Sequence, residues 1–214
     1  IYDAVGDSTR SMQQFKKVLA FDAGNVEAIA SIAANHFYTD QPELALRSYR
    51  RLLQMGVDNT EIWNNLGLSC FYAQAYDMTL FCFQKALSMA DDTAMAEVWY
   101  NIGQVAIGLG DTGLAYQAFK IAISIDPQHA ESFNNLGILE LRKGNAEQAR
   151  SNFATSQQLG PHLHDPLYNA ALLMYKLGDF QESYKFVVAA LHVFPEHEDS
   201  KELKQLLDDL FGSL

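Results

Sequence analysis

The chain has 214 residues, of which 49% are hydrophobic, enough for one large folded domain or two small ones. Fifteen Lys and Arg against 26 Asp and Glu leave a formal charge of −11, which repels polyphosphate backbones and acidic membrane surfaces, and no run of basic residues offsets it. Nucleic acid is therefore excluded as an expected partner, and the longest strongly apolar run, FVVAALHVF at 186–194, is too short to span a bilayer.

Taken in order, the chain opens on IYDAVGDSTR, which has neither an initiating Met nor the basic and apolar regions of a signal. It reads as a boundary inside a longer protein, with residues 1–25 carrying the second helix of a truncated repeat. From residue 26 the sequence repeats itself. EIWNNLGLSCFYAQAYDMTLFCFQKAL (61–87), EVWYNIGQVAIGLGDTGLAYQAFKIAI (97–123) and ESFNNLGILELRKGNAEQARSNFATSQ (131–157) align without gaps. Trp63 to Trp99 is a step of 36 residues, and Ile29 to Trp63, Trp99 to Phe133 and Phe133 to Leu167 are each steps of 34. This pattern resembles the tetratricopeptide repeat, and the resemblance implies an all-α fold, an α-solenoid coiling as a right-handed superhelix. In that frame the units are 26–59, 60–95 with a two-residue insertion, 96–129, 130–163 and 164–197, followed by a C-terminal capping helix over 198–214, all in one continuous solenoid domain.

Each matched position has a mechanical reason. Ala33, Gly67, Gly103, Gly137 and Ala171 stand at the eighth position, where two helices cross too closely for a large side chain, and Ala45, Thr79, Ala115, Ala149 and Ser183 stand at the facing site. Large residues at the fourth and twenty-fourth positions, such as Trp99 and Phe119, are expected to fill the remaining space, each contributing roughly 1.5 to 3 kcal/mol when buried. Pro127, Pro161 and Pro195 stop the second helices, because proline has no N–H to give the helix interior.

GLGDTG at 108–113 matches a dinucleotide-binding fingerprint, G-x-G-x-x-G, but it begins inside a helix with no strand upstream. Gly110 aligns instead with Gly144 and Gly178, at a helix C-terminus where glycine takes the left-handed conformation cheaply. Asp111, Asn145 and Asp179 then follow as caps of the second helices.

The candidate binding residues lie on the first helices. Asn65, Asn101, Asn135 and Asn169, all at the sixth position, form a column expected to line a concave groove, where a primary amide can both donate to and accept from the backbone of an extended segment. Tyr100, Asn134 and Tyr168 at the fifth position and Gln104, Ile138 and Leu172 at the ninth complete that wall. The fifth and ninth positions lack the lysines that would grip a C-terminal carboxylate. Phe37, Phe71, Ile107, Leu141 and Tyr175, one turn on, make the groove apolar and aromatic. Glu27, Glu61, Glu97, Glu131 and Asp165 at the second position are expected to complement the positive ends of their helices. His162 and His164 have no third ligand at a recognisable spacing, so they are read as surface histidines rather than a metal site. Cys70 and Cys82 are read as two buried thiols, with no disulfide framework. No nucleophile is paired with a base. The expectation is a non-enzyme with no cofactor.

Unit-specific strings carry a narrower resemblance. DQPELALRSYRRLLQMGV (40–57), NNLGLSCFYAQAYDMTL (64–80), VWYNIGQVAIGLGDTGLA (98–115) and HAESFNNLGILELRKGNAEQAR (129–150) are similar to the C-terminal half of the Bardet-Biedl syndrome 8 family. RRLLQMG and FYAQ followed by YDMTL are not dictated by the repeat. The resemblance implies a non-catalytic subunit of the BBSome, contacting the other BBSome subunits in the cytoplasm, the cilium and the ciliary base. It also implies peripheral membrane association through that complex and a role in the traffic of ciliary membrane proteins. Two alternatives stay open: a receptor for extended peptides, and a targeting domain of a larger enzyme.

Overall fold

The computed structural model describes residues 8–212, and among them every regular element is a helix. In chain order these are α1 (Ser8–Phe21), α2 (Val26–Tyr38), α3 (Pro42–Gln54), α4 (Thr60–Tyr72), α5 (Tyr76–Met89), α6 (Asp92–Gly108), α7 (Thr112–Ile125), α8 (Ala130–Arg142), α9 (Ala146–Leu159), α10 (His164–Leu177), α11 (Phe180–Val193) and α12 (Glu198–Gly212). They fall into two compact units, one ending at Leu109 and the other starting at Gly110. The start of the chain, residues 1–7, and the last two residues of the expected capping helix lie outside the described residues.

The first unit is built of hairpins α2–α3 and α4–α5, with α1 before them and α6 after. Its main core gathers Ile29, Ala33, Ala45, Tyr49, Leu52, Leu66, Cys70 and Cys82, and a second cluster joins Phe83, Ala86, Val98 and Val105. The second unit pairs α8 with α9 and α10 with α11, and α12 closes over α11, burying Leu203 and Leu207 beside Ala171 and Val187.

Glycine at the eighth position leaves room for a ring from the second helix, most of all in α8. A Cβ on Gly137 would stand 2.5 Å from Cε1 of Phe153, and one on Gly67 would stand 3.2 Å from Cε1 of Phe83. The twenty-fourth position supplies these rings, and its occupants Tyr49, Phe83, Phe119, Phe153 and Val187 are all buried. The fourth position differs from expectation: Trp63 and Trp99 are only half-buried, while Ile29 is fully buried.

The residue at the fifteenth position of each repeat is left-handed. Gly110, Gly144 and Gly178 have φ of 78°, 86° and 82°, and the equivalent residues in the first two repeats, Asp40 and Gln74, adopt 57° and 60° without being glycine. Asp111 and Asp179 cap α7 and α11 by accepting from the backbone N–H of Leu114 and Glu182. Asn145 sits at the cap of α9, but makes no capping bond with its side chain. That amide turns back instead and donates to Oε2 of Glu140 at 2.6 Å, a charge-assisted bond that competes with the cap. Residues 92–95, around the two-residue insertion, join the following helix, so α6 begins at Asp92 under the Asp91 cap. Glu97 is thereby moved out of the first turn, whereas Glu27, Glu61, Glu131 and Asp165 occupy it in α2, α4, α8 and α10.

Candidate protein-binding face

The asparagine column is partly consumed by the stack itself. Nδ2 of Asn101 on α6 donates to Oδ1 of Asn64 on α4 at 3.2 Å, and Nδ2 of Asn169 on α10 donates to Oδ1 of Asn134 on α8 at 2.9 Å. Within each unit, then, a sixth-position amide ties one first helix to the fifth position of the first helix before it. Asn64, Asn134 and Asn135 are buried, while Asn65, Asn101 and Asn169 keep part of their surface. Each donor amide retains a second N–H and its carbonyl oxygen for another partner.

In the first unit this arrangement opens a depression of about 390 Å³ between α4 and α6, lined by Tyr38, Glu61, Asn64, Asn65, Leu68, Glu97, Tyr100 and Asn101. A smaller hollow between α2 and α4 shares Tyr38, Asn65 and Leu68 with it and reaches Phe37 and Tyr49. Burial pushes the Tyr49 phenol up to about 12, with the Glu61 carboxylate adding to the effect, so Tyr49 stays a neutral hydrogen-bonding group there. The Gln104 amide donates to the hydroxyl of Tyr100 at 2.7 Å and orients that ring. At one end of these first helices an aromatic chain continues the surface: Phe37 meets Tyr72 edge-on at 5.3 Å, Tyr72 meets Phe71 at 5.3 Å, and Phe71 meets Tyr76 at 5.7 Å. The Phe71 ring lies against Gly108, where a Cβ would come within 2.7 Å of its Cζ. The first glycine of GLGDTG thus answers to an aromatic neighbour, not to a phosphate.

The second unit brings Asn134, Asn135, Ile138, Asn169 and Leu172 onto α8 and α10, with Asn134 and Asn135 largely covered. Tyr168 is drawn into a cluster that ties on α12. His164 stacks on Tyr168 at 6.0 Å and lies 4.1 Å from the His197 ring, and both imidazoles reach the Ser200 hydroxyl, at 3.0 and 2.9 Å. His164 is therefore a packed residue with 9% of its side chain exposed, whereas His162 is exposed as expected. His129 is also buried, and its Nδ1 accepts from the backbone N–H of Ser132 to cap α8.

Sequence reasoning passed over one further polar site. A depression of about 740 Å³ is lined by Tyr116 and Lys120 of α7, Glu140 of α8, and residues 144–148 at the start of α9. Glu140 is 5% exposed, and the Asn145 amide, the Tyr116 hydroxyl and the Lys143 and Lys120 charges hold its carboxyl below the usual carboxylate range against the opposing effect of burial. Lys143 in turn lies 3.6 Å over the Tyr116 ring. The available signal was Asn145 standing where two other turns have Asp. Cys70 and Cys82 are both free and buried, and the Cys82 thiol is pushed up by its hydrogen bond to Cys70 and by burial. Among the described residues no three His, Cys, Asp or Glu side chains are placed to hold a metal ion, and no helix is long and apolar enough to cross a membrane.

Two tetratricopeptide repeat profiles match, one over residues 96–129 and the other, in a frame that starts on a second helix, over residues 118–151. Over its whole length the chain is 51% identical to tetratricopeptide repeat protein 8 of Mus musculus, 49% to that of Homo sapiens and 40% to that of Caenorhabditis elegans. It spans only 42%, 40% and 42% of those relatives' lengths. Among solved structures, Cut9 in its complex with Hcn1 superposes with a TM-score of 0.74 at 14% identity, covering 96% of this chain and 41% of that one. The pilus biogenesis factor PilW superposes at 0.71 with 24% identity, covering 94% and 93%. YrrB, described as having an unusual peptide-binding site, superposes at 0.55 with 20% identity, covering 89% and 97%. At these identities the structural likeness establishes the fold, an all-α solenoid of helical hairpins.

Proposed function

We propose that this chain, which belongs to the tetratricopeptide repeat family, is a non-catalytic scaffold of the BBSome that binds other subunits through its first-helix face in the traffic of ciliary membrane proteins. The observation that carries the reading is its 51% identity, without loss of any part of the chain, to tetratricopeptide repeat protein 8. The chemistry of the face supports it. Side-chain amides and tyrosines surround the apolar Leu68, a mixed polar and apolar lining of the kind that protein interfaces use. Glu61 and Glu97 add negative charge, which favours a neutral or basic segment over an acidic one.

The test is co-expression with candidate BBSome subunits. Asn65→Ala with Tyr100→Ala should reduce co-purification at least about tenfold, equivalent to roughly 1.4 kcal/mol, while the circular dichroism spectrum keeps its helical intensity. Undiminished co-purification removes the face from the interface. A second reading, a receptor for short extended peptides, is favoured by the size of the 390 Å³ depression. It requires isolated peptides to bind there without any folded subunit.

A further inference from the structure

The second helices should present polar outer sides, and most do. Among exposed large apolar residues α9 contributes none, α7 only Leu114 and α3 only Leu44, but α5 contributes Tyr76, Met78, Leu80, Phe81 and Met89. Met78, Cys82, Lys85 and Met89 follow one stripe along α5, at i, i+4, i+7 and i+11. Cys82 is the buried base of that stripe and shares a core cluster with Leu46 and Tyr49 of α3. Arg50 of α3 lies near enough for its charge to act on both Cys70 and Cys82. The stripe therefore lies on the side of α5 that Arg50 of α3 approaches. Beside it Phe81 packs edge-on against Trp63 at 5.8 Å, with 44% of Phe81 left exposed.

The charges along this shallow groove are of one dominant sign. Arg47, Arg50 and Lys85 are exposed and make no ion pair among the described residues, in a chain whose formal charge is −11. Arg51 is directed to the other side of α3, where its guanidinium donates to the carbonyl of Ala23. The acidic residues of the two helices, Glu43 and Asp77, sit in their first turns, away from Lys85 and Met89.

We propose that the groove between α3 and α5 on the second-helix face docks an amphipathic helix of a partner protein, one carrying Asp or Glu beside its apolar stripe. Methionine and aromatic side chains accommodate the apolar stripe, as at other helix-in-groove sites, and the free cations select the acidic flank. The proposal rests on the reading of the chain as a protein-binding scaffold but uses a face distinct from the one between α4 and α6.

The probes are two synthetic helical peptides with Leu at i, i+3, i+4 and i+7, one flanked by Glu and its twin by Lys, titrated by fluorescence anisotropy into the 214-residue chain at physiological salt. The Glu peptide should bind at least about tenfold more tightly than its twin. Met78→Ser with Phe81→Ser should abolish that binding while the circular dichroism spectrum keeps its helical intensity, and Arg47→Glu with Arg50→Glu should reverse the preference between peptides. Asn65→Ala with Tyr100→Ala should leave it intact, so that loss of subunit binding at the first-helix face is told apart from loss here. The proposal is overturned if neither peptide binds, if the Lys twin binds as well, if the charge reversal changes nothing, or if the Asn65 and Tyr100 substitutions abolish binding. It is also overturned if sedimentation shows a dimer of this chain that Phe81→Ser dissociates, which would assign the groove to a second copy.

Discussion

Gln74 holds the left-handed conformation that three of the five repeats give to glycine. Its φ of 60° puts Cβ close to the neighbouring carbonyl oxygen, and its side chain is exposed with no hydrogen bond of its own among the described residues. Gln74→Gly should therefore stabilise the chain by about 0.5 to 1 kcal/mol, the relief of strain exceeding the added entropy of the unfolded chain. Chemical denaturation checks this: the midpoint should rise with an unchanged slope, and a lower midpoint would show that Gln74 has a compensating role. Gly110, Gly144 and Gly178 were legible because glycine announces such a site. Asp40 and Gln74 were not, because aspartate signals positive φ only weakly and glutamine not at all, so that the shared repeat position is the main mark. The same holds for the amide pairs. The column at the sixth position was visible, but its partners at the fifth position of another helix depend on stacking register.

At the scale of the element, the α8–α9 hairpin is fastened by a buried carboxylate. Glu140 accepts from the Asn145 amide across a turn whose backbone bond, Asn145 N–H to Glu140 carbonyl, measures 2.9 Å. The Glu140 carboxyl is held lower in the folded chain than in the unfolded one, so its contribution is fully present above the unfolded value and is lost as pH falls through the folded value. Glu140→Gln should accordingly lower the melting temperature most near neutral pH, and the gap to wild type should narrow as pH falls below the ordinary carboxylate range. A gap that stays constant from pH 7 to pH 3 would mean that the charge itself contributes nothing. The α5 helix gives the opposite lesson. YDMTL stood out because the repeat does not require it, yet whether Met78, Leu80 and Phe81 were core or surface depended on which neighbours cover them.

Across the molecule, each unit packs mainly helix against next helix, so local stability follows how much each helix buries. In α1 only Ser11 is buried among the described side chains, and Phe21 is 94% exposed. Hydrogen exchange followed by mass spectrometry should find α1 amides exchanging at least about tenfold faster than those of α4 or α8. Equal protection would show that α1 is held by more than the contacts described. The formal charge of −11 acts at this scale as well, since it disfavours polyanionic partners over the whole surface while leaving the cationic α3–α5 groove as a local exception.

Periodicity alone specifies the repeat, its turns and its close crossings. The reason is local: a period of 34 residues, a small residue at the eighth position and a turn at the fifteenth each constrain a single hairpin. The sequence also carried the likeness to tetratricopeptide repeat protein 8, through strings that the repeat leaves free to vary. Only the tertiary structure decided which amides were already bonded, that His164 and His197 meet 33 residues apart at the foot of α12, and that α5 leaves its methionines and Phe81 uncovered. These outcomes depend on how one hairpin rests on the next. A face that is apolar in sequence becomes core or binding surface according to what the neighbouring helix covers.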